Sequence, residues 1–245
     1  MAVLETHIFK AHNNIYIEQP EENYRTREIR TEMVFPDCVN ENTGMLVLIP
    51  GYGGNIDSHV FRKMREVFAE QYNFITVQCD YFGNRFMDSN EPEEMRLIAD
   101  MKNIINAEIC YKMNGFESED EFNDMGLMQA LDIVSTTICA IYEIINKGYV
   151  FNTNRIVLFG TSHGSYLAHL ANVICPTLYT GLLDVSSYIV PYYLTHYRNL
   201  TIKTDKITWT TIYEYLIMKE ENYRYNDNLY LTLQRSSSYR LPGHH

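Results

Sequence analysis

The stretch Gly160-Thr-Ser162-His-Gly164 directly follows the apolar run Arg155-Ile-Val-Leu-Phe159 and opens a segment with the apolar spacing of a helix. In a G-x-S-x-G sequence between a strand and a helix, the serine sits on a sharp, strained turn that lifts its hydroxyl clear of the backbone. The flanking glycines avoid the clash that a β-carbon would cause in so tight a turn. The pattern therefore predicts a nucleophile elbow, with Ser162 as the nucleophile.

Strand patterns surround this turn. Residues 45–49 and 74–79 are largely apolar, which is typical of strands buried on both faces of a parallel sheet. Residues 14–18 and 27–35 alternate polar and apolar side chains, which predicts half-exposed antiparallel strands at a sheet edge. Residues 179–185 are expected to form the strand that follows the elbow helix.

Three segments carry the 3.6-residue apolar period of a helix. The apolar positions of the first are Val60, Met64, Val67 and Phe68, with Asp57 or Ser58 as a cap. Those of the second are Leu127, Leu131, Val134, Ile138, Ile141 and Ile145, and Gly148 ends that helix. Those of the third are Leu167, Leu170, Ala171 and Ile174, and Pro176 closes it.

Alternating strands and helices of this kind predict an α/β fold around a mostly parallel sheet. Residues 1–190 are expected to form the core, with an excursion at about 84–124 whose acidic stretch predicts a solvated loop. Residues 191–245 are expected to form an inserted lid and a truncated C-terminal segment. The part from Pro191 to Tyr230 is rich in Tyr and Lys and shows no strand alternation.

A glycine-rich loop, Pro50-Gly-Tyr-Gly-Gly-Asn55, follows the third strand. Acyl transfer builds negative charge on the carbonyl oxygen of the substrate, and two backbone N–H groups must point at that oxygen in advance. One donor is expected from the residue after the nucleophile, His163. The other is expected from this loop, with Tyr52 as the first choice and Gly53 as the second.

Four segments, 49–55, 79–84, 123–132 and 160–167, together resemble an uncharacterised bacterial family of α/β-hydrolase-like proteins. The resemblance covers roughly residues 10 to 195. It implies the α/β-hydrolase fold, with helices on both faces of the sheet and an inserted lid, and it implies a candidate nucleophile. The family has no agreed substrate, so function has to be argued from the site.

The sequence does not clearly identify the acid and the base that would complete a catalytic triad with Ser162. In α/β hydrolases the acid and then the histidine follow the serine along the chain. Asp184, at the end of the sixth strand, is the best acid by position, although a helix cap explains it equally well. The available bases are His196, which falls in the predicted lid, and His244 and His245 at the tail. We therefore expect the last strands to be missing and the triad to be incomplete.

The amino-acid composition restricts the classes of partner that this chain is expected to bind. Twenty Lys and Arg residues against 31 Asp and Glu give a net charge of −11, which disfavours nucleic acid and anionic membrane surfaces. Without a leader pattern or a run of 18 apolar residues, a cytoplasmic location is expected. Five scattered cysteines argue against a disulfide framework or a zinc site, and no cofactor motif occurs. We expect neither a metal nor a cofactor, and the oligomeric state is not indicated.

Two functions fit these observations. The first is a serine hydrolase of the esterase type, and the second is a non-catalytic binding or accessory protein that keeps the elbow as structure. Ten tyrosines and the single tryptophan lie between Tyr188 and Tyr239. They either pack the lid or line a pocket suited to a small, neutral acyl or ester substrate rather than a long-chain lipid.

Overall fold

The computed structural model describes residues 2–15, 27–84, 107–113, 126–187, 199–203 and 207–213. The strands are β1 (Val3–Ala11), β2 (Arg27–Phe35), β3 (Gly44–Ile49), β4 (Phe74–Cys79), β5 (Ala107–Met113), β6 (Ile156–Thr161), β7 (Gly181–Val185), β8 (Asn199–Lys203) and β9 (Ile207–Tyr213). The helices are α1 (His59–Tyr72), α2 (Leu127–Asn146) and α3 (His163–Ile174).

Six strands form the main sheet in the order β1-β2-β4-β3-β6-β7. The pairs β3–β4, β3–β6 and β6–β7 are parallel, whereas β1–β2 and β2–β4 are antiparallel. The sheet is therefore mostly parallel with an antiparallel edge, and the predicted α/β-hydrolase class is confirmed. Its center is β3, which lies between β4 and the elbow strand β6.

Helices cover both faces of this sheet, as the side chains of β3 show. Met45, Val47 and Ile49 pack in the larger core cluster together with residues of α2 and α3. The alternate residues Leu46 and Leu48 pack against Phe61 of α1. A central strand buried on both faces explains why this segment is apolar throughout.

The edge strand predicted at residues 14–18 is not found at Asn14 and Ile15, the two of these residues that the structure describes. The edge strand is β1, which pairs with β2 from Val3 opposite Phe35 to Ala11 opposite Arg27. Asn14 and Ile15 lie beyond its end, and residues 16–18 lie outside the described part of the chain. The strand was missed because its inward side carries polar residues. His7 there contacts Glu5 at 3.1 Å, and Lys147 of α2 contacts Glu5 at 3.1 Å.

The first helix begins after Ser58 as predicted, but the predicted inward face is confirmed only in part, since Met64 and Phe68 are half-buried against the core. Val60 is 65% exposed, whereas the buried residues of α1 are Phe61, Arg65 and Ala69. The guanidinium of Arg65 contacts the carboxylate of Glu32 on β2 and donates to the carbonyl oxygen of Ile56 at 2.9 Å. Because this buried ion pair turns α1, Val60 faces outward and an arginine faces the sheet.

The long helix α2 is confirmed, and its inward face is confirmed in part, since Val134 is buried and Ile141 packs against the core. Ile138 and Ile145 are more than half exposed, whereas Gln129 and Asp132 are fully buried. Asp132 accepts two hydrogen bonds from Arg27, at 3.1 and 2.8 Å, so its burial is compensated. By length and composition α2 could cross a membrane, but 56% of that stretch is buried within the fold, as in a core helix.

A second sheet has the strand order β5-β9-β8, with β5 and β9 parallel and β8 and β9 antiparallel. The absence of strands predicted between Pro191 and Tyr230 is therefore wrong, since β8 and β9 both lie there. This sheet joins a strand of the 84–124 excursion to two strands of the C-terminal segment. The division into a core and a lid at residue 190 remains a prediction.

Arg65→Met should lower the free energy of unfolding by about 3–5 kcal/mol, because it leaves the Glu32 carboxylate buried without its counter-ion. The double variant Arg65→Met, Glu32→Leu should recover most of that loss. The measurement is urea unfolding, with Arg62→Met as the control. The Arg62 side chain is 48% exposed, so its replacement should cost about 0.5 kcal/mol at most. Equal losses of unfolding free energy in Arg62→Met and Arg65→Met would contradict the assignment of Arg65 as the buried partner of Glu32.

Candidate active site

The turn between β6 and α3 has the strained backbone that the G-x-S-x-G pattern predicts. Ser162, its middle residue, has φ 51° and ψ −120°. This combination is sterically unfavourable for any residue with a β-carbon and costs on the order of 1–3 kcal/mol. The surrounding contacts must therefore hold Ser162 in this conformation.

Two close backbone approaches require the flanking glycines. A β-carbon on Gly160 would lie 2.4 Å from the Cα of Ser165, and one on Gly164 would lie 2.1 Å from the carbonyl oxygen of Ile49. Both obstacles are backbone atoms, which cannot rotate away as a side chain can. The first turn of α3 therefore packs directly on the end of β3.

The end of β7 holds the elbow from the other side. The Ser162 N–H donates to the carbonyl oxygen of Val185 at 2.8 Å. The hydroxyl of Ser165 accepts from the N–H of Val185 at 3.0 Å. These bonds fix the backbone of Ser162 and the following turn of α3 to one residue of the neighbouring strand.

The glycine-rich loop lies against Ser162. A β-carbon on Gly51 would lie 3.1 Å from the Cβ of Ser162, and the Gly51 N–H donates to Oγ1 of Thr161 at 3.1 Å. The Gly54 N–H donates to the carbonyl oxygen of Gly51 at 2.9 Å, which closes a tight turn. Gly53 in this turn has φ 78°, a conformation that glycine adopts without strain. The loop therefore lies directly against the elbow.

Residues after β4 fix the two ends of this loop. The hydroxyl of Tyr81 donates to the carbonyl oxygen of Pro50 at 3.0 Å. The N–H of Ile56 donates to the carboxylate of Asp80 at 3.3 Å. Burial raises the pKa of Asp80, and the Ile56 N–H and nearby Arg30 act in the opposite direction. The turn that begins at Asp80 therefore supports the loop structurally.

The two remaining oxyanion candidates meet at the elbow. Tyr52 is 37% exposed, and its ring centroid lies 6.5 Å from that of His163 in an edge-to-face arrangement. The buried His163 ring donates from Nε2 to Oε1 of Gln129 at 2.7 Å. Burial lowers the pKa of His163 to about 4, so the ring is neutral at pH 7. Its Nε2 proton is donated to Gln129, so this ring is tied to α2.

Asp184, the acid predicted by position, contacts a histidine other than the predicted bases. Its Oδ2 lies 2.9 Å from Nε2 of His169, and its Oδ1 accepts from the N–H of Ser187 at 2.8 Å. His169 lies about 10 Å beyond Ser162 along α3, given the rise of a helix. The structure therefore brings Asp184 and His169 together, whereas His196, His244 and His245 lie outside the described residues.

Within the ranges that the structure describes, no group of three His, Cys, Asp or Glu side chains is arranged to hold a metal ion. Cys38, Cys79, Cys139 and Cys175 are free thiols. Burial raises the pKa of Cys79 to about 12, which keeps that thiol protonated and unreactive.

Gln129 and Asp132 contribute to this region but were missed by the sequence reasoning. Polar residues at these positions interrupt an apolar pattern, so hydrophobic periodicity assigns them to the exposed side. One signal was present, since both lie in the 123–132 segment that carries part of the family resemblance.

Residues 93–203 match the family model described as "Protein of unknown function (DUF2920)". The predicted resemblance to an uncharacterised family is thereby confirmed. A search of curated protein sequences found no significant match.

Solved structures with similar folds include several esterases. A carboxyl esterase from Bacillus coagulans is 15% identical over 74% of this chain, with a TM-score of 0.41. Brefeldin A esterase, a bacterial homologue of human hormone-sensitive lipase, is 15% identical over 71%, with a TM-score of 0.43. A fungal esterase from Rhizomucor miehei is 10% identical over 80%, with a TM-score of 0.48. The chain spans 43%, 36% and 47% of the lengths of these three proteins, respectively.

Burial of His163 should make stability fall on the acid side. The pKa of this histidine is lowered from 6.5 to about 4 in the folded chain, so the unfolded chain binds more protons between these values. The contribution of His163 to the free energy of unfolding is complete above about pH 6.5 and is lost as the pH falls towards 4. The free energy of unfolding then falls by up to about 1.4 kcal/mol per pH unit. Urea unfolding of wild type and His163→Asn from pH 4.5 to 7.5 should show a shallower slope for the variant. Equal pH dependence of the unfolding free energy in wild type and His163→Asn would contradict the assignment of this acid-side loss to His163.

Proposed function

We propose that this chain is a serine hydrolase of the carboxylic ester type, with Ser162 as its nucleophile. The observation that carries the proposal is the conformation of Ser162, which keeps a β-carbon where glycine would be less strained. A turn needed only for folding would gain stability from glycine at this position. A serine retained there at a cost in stability is explained by a requirement for its hydroxyl.

In the proposed mechanism Ser162 Oγ attacks the acyl carbonyl and forms a tetrahedral intermediate. The negative charge on its oxygen would be stabilised by the backbone N–H of His163 and by that of Tyr52 or Gly53. Two features support this pairing. His163 opens α3, so its N–H belongs to the positive end of the helix dipole. Gly51 brings the loop that carries Tyr52 and Gly53 against Ser162.

Deprotonation of Ser162 needs a general base, because a free serine hydroxyl is a weak nucleophile. We assign this role to a histidine outside the described residues, with His196, His244 and His245 as candidates. Asp184 remains the proposed acid, and its hydrogen bond to His169 would have to be exchanged for one to that base.

The proposed substrate is a small, neutral or weakly charged ester. The net charge of −11 disfavours strongly anionic substrates such as phospholipid surfaces. The tyrosine-rich segment from Tyr188 to Tyr239 offers aromatic rings with polar tips, which suit acylated sugars and short acyl chains.

A second candidate function is a non-catalytic binding or accessory protein with the hydrolase fold. The contact between Asp184 and His169 favours it, because the proposed acid already has a histidine partner away from Ser162. Reactivity of the serine separates the two candidates.

A fluorophosphonate probe should label wild type at Ser162 alone, with the modified peptide identified by tandem mass spectrometry. Ser162→Ala should abolish labelling. Gly51→Ala should slow it by at least about tenfold, because its β-carbon pushes the loop away from Ser162. Gly181→Ala is the matched control, since the nearest atoms to its added β-carbon are 3.7 and 3.9 Å away. A folded wild-type chain that resists the probe would support the non-catalytic alternative.

A further inference from the structure

Gln129 is the polar side chain that connects α2 to the elbow. It is fully buried near the start of α2, and its Oε1 accepts the Nε2 proton of His163 at 2.7 Å. His163 is itself buried, at 1% exposure, and packs against Tyr166 of its own helix at 5.9 Å between ring centroids. One hydrogen bond therefore fixes the far end of the residue that follows the nucleophile.

The burial of Gln129 beside His163 leaves one polar group of the glutamine unsatisfied. Nε2 of Gln129 is buried without a hydrogen-bond partner among the described residues. An orphaned buried donor of this kind lowers stability and offsets part of the gain from the bond to His163. A methionine would remove that donor, but it would leave the buried Nε2–H of His163 without an acceptor. Glutamine is thus the acceptor that a buried His163 ring requires.

The same hydrogen bond also fixes the orientation of His163. An oxyanion donor works only if its N–H is held in place before charge develops, since reorganisation during the reaction forfeits the benefit. The His163 N–H belongs to the peptide that joins it to Ser162, so its direction is coupled to the position of the His163 side chain. A ring held at Nε2 resists rotation of that peptide.

We infer that Gln129 is a positioning residue for the oxyanion site, acting through the ring of His163. This inference rests on the proposed function, in which the His163 N–H is an oxyanion donor. Gln129 acts on the rate of the chemical step without touching the substrate.

The test is the kinetics of fluorophosphonate labelling in wild type and Gln129→Met. In this reaction Ser162 Oγ forms a bond to phosphorus, the phosphorus–fluorine bond breaks, fluoride leaves, and the hydroxyl proton passes to solvent. The phosphoryl oxygen takes the place of the oxyanion. We expect the maximal labelling rate to fall at least about tenfold, with the probe concentration at half-maximal rate unchanged. The free energy of unfolding should fall as well, because the buried Nε2–H of His163 loses its acceptor.

Thr137→Val is the matched control on the same helix. Its hydroxyl donates to the carbonyl oxygen of Ile133 at 2.7 Å and lies 3.3 Å from the hydroxyl of Tyr179, so this change should lower stability. It should leave the labelling rate unaltered.

Three outcomes would overturn the inference. The first is labelling of Gln129→Met at the wild-type rate, and the second is a loss of labelling that follows a loss of stability equally in both variants. In each of these the wild type is labelled, so the proposed function survives. The third is a folded wild type that is not labelled, in which case the inference falls together with the proposed function.

Discussion

The rest of the site depends on the contact between the first turn of α3 and the carbonyl groups that end β3. A β-carbon on Gly164 would meet the carbonyl oxygens of Ile49 and Pro50 at 2.1 and 2.5 Å. Because the helix sits this close, the elbow and the glycine-rich loop are adjacent, and Ser162 is held at φ 51° between them. The end of β7 completes the arrangement through Val185.

Buried polar side chains determine how the helices meet this framework. Arg65 orients α1 through Glu32, and Asp132 orients α2 through Arg27. Gln129, one turn before Asp132, then reaches His163 at the elbow. A polar residue in a core is stabilising only when its partner is present, so these pairs select one rotation of each helix about its axis.

The sequence was sufficient to predict the strands on either side of the elbow and the turn itself, because apolar runs and glycine spacing report local geometry. It was not sufficient to predict the inward faces of α1 and α2 in full. Val60 and Ile138 were assigned inward by hydrophobic period, yet Arg65 and Asp132 occupy the buried sides. Their partners lie on strands distant in the sequence, where no local pattern records them. The contact of Asp184 with His169 was missed for the same reason.

The central claim is that the fold holds a reactive serine in a conformation that suits glycine better. Its most direct measurement is the free energy of unfolding of Ser162→Gly compared with Ser162→Ala, both of which lack the hydroxyl. Relief of the strain at φ 51° should make the glycine variant more stable than the alanine variant by about 1 kcal/mol. An alanine variant as stable as the glycine variant, or more stable, would contradict the claim.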